Sequence, residues 1–183
     1  MASQNFLHLW DDRFLYITPA IQSGLTARSS ATLLASVSGH PFTLEALDGT
    51  RTRCTAALIA PHVARRLDVD GCGLLSLNLD PASSAYRMLA KRMGGHGIVP
   101  IDARRFGRLR DDFDPAQRGE LCKERLQALS VKLVEAITEF PEIGVTIDRR
   151  IDRVLQAIRA HAGKIQLREL SAVACLSPDR LTH

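Results

Sequence analysis

Residues 147–183 read IDRRIDRVLQAIRAHAGKIQLRELSAVACLSPDRLTH, and the rest of the chain is best read outward from them. Ile147, Ile151, Val154, Leu155 and Ile158 recur on one face of a 3.6-residue period, which predicts a helix. Gly163 follows, where a left-handed stop is easiest. Leu167, Leu170, Val173 and Ala174 mark a second, shorter amphipathic helix, and Ser177-Pro178 opens a third. The Ser177 hydroxyl can accept from a free N–H of that first turn. Pro178 has no N–H to lose at the first helical position. Two short helices joined by a tight turn, the second opening with Ser-Pro, read as a helix-turn-helix. In such a unit the second helix enters the major groove and its early residues meet base edges.

The wording of residues 165–181, IQLRELSAVACLSPDRL, is more specific. It resembles the first helix-turn-helix of the AraC-type transcription regulators, which read roughly I-S/T-L-E-E-L-A-x-x-A-G-L-S-P-x-x-L/F there. Gln166 replaces the usual Ser or Thr cap and weakens the capping box with Glu169. Cys175 replaces a glycine common in the turn, where a side chain tolerates positive φ less well. The resemblance implies that Asp179, Thr182 and His183 face the groove. It also implies that Arg180 assists with phosphate or base, and that Ser177 meets a phosphate. Asp179 would repel phosphate but can accept from cytosine N4. Leu170, Leu176 and Leu181 would pack the two helices together. Family members continue through a linker helix to a second helix-turn-helix, whereas this sequence stops at His183 within the first recognition helix. The expectation is a fragment of a longer gene product, or a truncated regulator, that binds DNA poorly by itself.

Composition is that of an ordinary globular protein, 45% hydrophobic. No run approaches the ~20 apolar residues that span a bilayer, and the N-terminus MASQNFLHLWDDRFLYI has neither a basic start nor a small-residue cleavage site. Cys54, Cys72, Cys122 and Cys175 lie far apart, which suits reduced thiols in the cytoplasm better than disulfides or zinc. The net charge is +4; from Val145 onward seven basic side chains face four acidic ones, so +3 of it lies in the last fifth. Such a local bias suits phosphate contact, although it also describes a solvated helix face.

Residues 1–80 read as strands. Arg13–Ile17 is a β-prone run ended by Thr18-Pro19, and Ala31–Val37 is an apolar run. Phe42, Leu44 and Ala46 alternate with Thr43 and Glu45, and Asp48-Gly49 turns into a return strand over Arg51–Ala60. Arg65–Val69 follows, then a Gly71-Cys72-Gly73 turn. Leu75, Leu77 and Leu79 alternate with Ser76 and Asn78. Many short strands with regular turns predict an antiparallel barrel or sandwich. Residues 57–67, ALIAPHVARRL, and 74–81, LLSLNLDP, resemble the N-terminal half of the same family, a cupin-like barrel that holds a small effector in many members. Metal-dependent cupins use two close histidines, a carboxylate and a later histidine. The stretch Thr26-Ala27-Arg28-Ser29-Ser30 has no histidine where the first cluster belongs, and the later position is Arg65 or Arg66. No metal, no cofactor and no catalysis are therefore expected. No G-x-S-x-G elbow is present, and Gly94-Gly95-His96-Gly97 lacks G-K-[ST], so it reads as a loop.

Pro81–Met93 predicts a helix, and Ile98–Phe113 is mixed, with Arg104, Arg105, Arg108 and Arg110 clustered in a stretch that reads as a short solvated helix. Asp114-Pro115 predicts the start of the longest helix, running to Phe140. Cys122, Leu126, Leu129, Leu133, Ala136 and Phe140 recur there in a heptad-like stripe. The resemblance implies a homodimer contact through Leu126, Leu129, Leu133, Ala136 and Phe140; the alternative is burial of the whole face within one chain. The expected fold is α+β. A cupin-like antiparallel barrel (1–80) and its helices (81–140) precede a linker (141–146) and an incomplete all-α helix-turn-helix domain (147–183). The expected function is effector-controlled transcription regulation with DNA as partner and no membrane. The alternatives are a metal-free small-molecule-binding cupin-like protein and a cupin isomerase.

Overall fold

A computed structural model describes residues 4–138, 149–161 and 163–182. The fold is α+β, with antiparallel sheets at the N-terminus followed by helices. The chain divides into two compact units, Met1–Glu142 and Ile143–His183.

Among the described residues the strands of the first unit are β1 Phe6–Leu9, β2 Arg13–Thr18, β3 Ile21–Gln22, β4 Ala31–Ser36, β5 Phe42–Ala46, β6 Arg51–Cys54, β7 Ala56–Ile59, β8 Arg65–Val69, β9 Leu74–Leu79 and β10 Ile98–Pro100. They form a six-stranded sheet in the order β1-β2-β9-β4-β7-β10 and a four-stranded sheet in the order β3-β8-β5-β6. Instead of the expected barrel, these are two open sheets. β1 and β10 stand at opposite edges of the larger sheet, with four strands between them, and do not pair. The predicted single return strand over Arg51–Ala60 is two strands in different sheets. The chain changes sheet at Thr55, whose carbonyl accepts from the Ser36 N–H at 2.8 Å.

Strand parity divides the larger sheet into two faces. Leu15, Leu33, Leu58 and Leu77 point one way, into a core completed by helices. Leu34, Ala57, Ile59 and Leu74 point the other way and meet Phe42, Leu44 and Val69 of the smaller sheet. A strand covered on both faces is buried at every residue, and β4 and β9 are. Ser76 and Asn78 were read as the polar half of an alternating strand, yet both are interior.

Helix α1, Ser84–Met93, begins three residues after Pro81 because the Ser83 hydroxyl accepts from Tyr86 N–H at 3.0 Å. The arginine-rich stretch forms a 3-10 segment over Ala103–Asp112 that buries Phe106. The expected long helix is two. α2, Phe113–Gln117, ends before Gly119, and α3 spans Lys123–Thr138. Gly119 has φ +72° and ends α2, with Gly119 N–H donating to Ala116 O and Glu120 N–H to Pro115 O; a Cβ there would lie 2.6 Å from Cζ of Phe6, so the position also needs glycine for packing.

The second unit contains α4 Arg149–Ala160, α5 Leu167–Ala174 and α6 Pro178–Thr182. Gly163, at φ +77°, stops α4 by donating to Ile158 O at 2.8 Å. Ile147, Phe140, the 141–146 linker and His183 lie outside the described residues. No helix among the described residues is long and apolar enough to cross a membrane.

Candidate functional site

Two places collect functional chemistry. The first is the α5–α6 pair. Glu169 accepts from Gln166 N–H at 3.0 Å, so this half of the capping box survives without Ser or Thr at the cap. The turn is a Schellman motif: Cys175 N–H donates to Ala172 O at 3.1 Å and Leu176 N–H to Ser171 O at 3.0 Å. Cys175 itself is left-handed, at φ 53° and ψ 41°, without being glycine. The Ser177 hydroxyl accepts from Arg180 N–H at 3.4 Å, and Leu181 N–H bonds Ser177 O at 3.1 Å.

These contacts place the proposed groove-facing residues as follows. Ser177, Asp179 and Arg180 are exposed, and Thr182 closes α6. Leu170, Leu176 and Leu181 are half-buried, while Ser171 and Ala174 are buried. Arg149, Arg153, Lys164, Arg168 and Arg180 are exposed and form no ion pair among the described residues. Cations held in this way on a small helical unit can contact phosphate oxygens.

The second place lies between the sheets. Asn78 is fully buried, and its Oδ1 accepts from Thr32 Oγ1 at 3.0 Å, Arg28 Nη1 at 3.2 Å and Ser30 Oγ at 3.5 Å. Its Nδ2 donates to Ser76 O at 3.0 Å and to Ser76 Oγ at 3.1 Å. The Arg28 guanidinium lies over the Phe14 ring, 6.0 Å from its centroid. Arg65, on β8, points inward with Leu67 and Val69 and is 5% exposed; its Nη1 donates to Thr26 O at 3.2 Å. Burial holds its pKa below the usual arginine value, and the charge of Arg28 lowers it further. Arg66, the other residue considered for this position, points outward and lies 3.7 Å from Glu45.

A cavity of about 350 Å³ opens beside this network, lined by Leu9, Trp10, Phe14, Ser30 and Asn78 among others. The indole N–H of Trp10 is buried there without a hydrogen-bond partner among the described residues. Sequence reasoning did not assign a role to Arg28, Asn78 or Arg65. The available signal was two polar residues in an otherwise leucine-rich strand, and it was read as solvent alternation.

The stripe expected at a dimer contact is placed differently. Leu126, Leu129 and Leu133 are at most 2% exposed, and Ala136 packs against the same core, which joins α3 to the outer face of the larger sheet. The α3 residues facing water are Lys123, Glu124, Arg125, Gln127, Ala128 and Lys132. Among the described residues of the stripe, Leu126, Leu129, Leu133 and Ala136 therefore pack within one chain, and Cys122 is exposed.

No protein-family model matches the chain, nor does any curated protein sequence. Among solved structures it is similar to the AraC-like transcriptional activator CuxR, at 14% identity and TM-score 0.49, covering 94% of this chain and 70% of that one. ToxT from Vibrio cholerae O395 matches at 9% identity and TM-score 0.45, covering 93% and 71%. A cupin domain from Bordetella pertussis Tohama I matches at 11% identity and TM-score 0.34, covering 43% and 93%.

Proposed function

We infer that the chain carries the sensor unit and the first DNA-reading helices of an AraC-type transcription regulator. The observation that carries this reading is the α5–turn–α6 unit. A non-glycine residue adopts a left-handed turn there, and a Ser-Pro start caps a helix whose Asp179 and Arg180 are exposed. The sandwich acts as the sensor. An effector bound between its sheets changes how the helix pair is presented to DNA, a coupling between two sites. The protein works in the cytoplasm as a homodimer, through a surface other than the buried stripe of α3.

The test uses the complete product of the gene that encodes this chain. Selection of duplexes from a random pool should enrich one sequence, and its affinity should fall as salt rises. Arg180→Ala should weaken binding about tenfold, as expected for loss of a base or phosphate contact. Failure to enrich any sequence would sink the regulator reading. Sedimentation velocity tests the dimer, and a monomer at micromolar concentration removes it from the proposal.

A further inference from the structure

The inner face of the larger sheet grades from covered to bare. Strand pairing aligns Leu9, Phe14, Asn78, Thr32 and Ile59 across β1, β2, β9, β4 and β7, with Leu7, Tyr16, Ser76, Leu34 and Ala57 in the parallel row. At the β7 end the smaller sheet covers these rows. At the β1 end Leu7 is 56% exposed and Leu9 64%. The face thus runs from two exposed leucines, past two half-buried aromatic rings, to the buried Asn78 amide, to which Arg28 donates. The cavity beside Asn78 is lined by Leu9, Phe14 and Asn78 of this face, with Ser29 and Ser30 adjoining.

The arginines are the feature that folding alone leaves unexplained. Arg13, Arg51, Arg66, Arg118 and Arg125 each have a carboxylate within ion-pair distance. Arg28 and Arg65 have none among the described residues, although Arg65 is almost wholly buried. An uncompensated buried cation is costly, and a second one nearby adds repulsion. Arg28 spends one N–H on Asn78 and Arg65 one on Thr26 O, which leaves most donors of both guanidinium forks free. An anion placed between them would relieve the desolvation and repulsion together.

We propose that Arg28 and Arg65 bind the carboxylate of a small amphipathic organic acid whose apolar body lies along Phe14, Tyr16, Leu7 and Leu9. This rests on reading the sandwich as the sensor. A planar carboxylate fits a guanidinium fork in bidentate fashion. The rim selects a single negative charge. Asp12 is engaged by Arg13 and Asp80 by Ala82 N–H, but their charges, with that of exposed Asp11, line the same cavity and disfavour a dianion. A neutral sugar would leave both cations uncompensated and four apolar side chains against its hydroxyls.

The probes are hexanoate and benzoate, with hexanamide, benzamide and inorganic phosphate as controls, each added to the full chain during thermal unfolding. At a hundred times Kd a carboxylate should raise Tm by about 5 °C. The amides and phosphate should leave Tm unchanged. Arg65→Met should fold with an unchanged or higher Tm, since it removes a buried unpaired charge, and should lose the shift. Arg28→Gln, at a half-exposed position, should also lose it and serves if Arg65→Met fails to fold. Equal shifts from acid and amide, a shift from phosphate alone, or shifts retained in both variants would overturn the proposal. So would no shift at about 10 mM acid, where even millimolar affinity registers. If a neutral sugar stabilises the chain and no acid does, the acid site fails and the sensor reading stands. If an acid binds but DNA affinity of the complete gene product never responds, the site stands and the regulator reading fails.

Discussion

In the N-terminal unit β9 is buried at each of its six residues, with helices on one face and a second sheet on the other. In the tail unit only Val154, Ser171 and Ala174 are buried among the described residues, and Ile151 and Leu167 stand more than a third exposed. The first unit is held by packing. The second is held by its ends: a carboxylate on the α5 cap, a Schellman turn at Cys175 and a serine at the start of α6. The proposed ligand site falls in the unit with a deep interior, and exposed cations, unpaired among the described residues, in the unit with little interior. A buried network fixes side chains for recognition, whereas a thin helical unit leaves its charged side chains at the surface.

The largest test of this contrast is Leu77→Ala, at a fully buried position facing the helices. It should cost about 3 kcal/mol in urea unfolding of the full chain, the usual price of such a cavity. A loss below about 1 kcal/mol would mean that the core is looser than its burial indicates. Asn78→Ala should cost about 2 kcal/mol, because Thr32 and Ser76 lose a partner away from water and Arg28 loses one at a half-exposed position. A neutral result would show that this network does not depend on its hub.

In the tail the sign reverses. Cys175→Gly should stabilise the helix pair by about 1 kcal/mol, since glycine adopts a left-handed turn without the Cβ clash. Amide exchange in α5 and α6 should slow about fivefold; faster exchange would break the capping account. Leu167→Ala, at a position 44% exposed, should cost less than about 0.5 kcal/mol. The smallest test involves thiols. Cys122 and Cys175 are exposed and should label rapidly at pH 8. Burial pushes the Cys54 thiol up to about 11, so on the order of one molecule in a thousand is thiolate at that pH, and it should label far more slowly. Equal rates for Cys54 and Cys175 would contradict the burial difference between the units.

Much of the tail was legible because its signals are local. The stop at Gly163, the opening at Ser177-Pro178 and the awkward turn at Cys175 each act within a few residues, and each appears in the structure. The strands were legible from β-prone runs and turns, and β2, β4, β5 and β8 fall where they were expected. The expected long helix is broken at Gly119, a left-handed helix end that an apolar periodicity running through it conceals. The dimer stripe was ambiguous for a related reason: periodicity identifies an apolar face without identifying what covers it.

By itself the sequence determined that this is an α+β chain of short strands followed by helices, with cationic helices at its end and no histidine in the 26–30 stretch or at 65 and 66. Those facts depend on residue types, local propensity and spacing. Only the tertiary structure decided that the sheets stay open, that α3 turns its leucines inward, and that Arg65 rather than Arg66 is buried. A one-residue change of strand parity exchanges inside for outside, and the parity of β8 is fixed by pairing with β5 across the sheet, beyond the reach of any local signal.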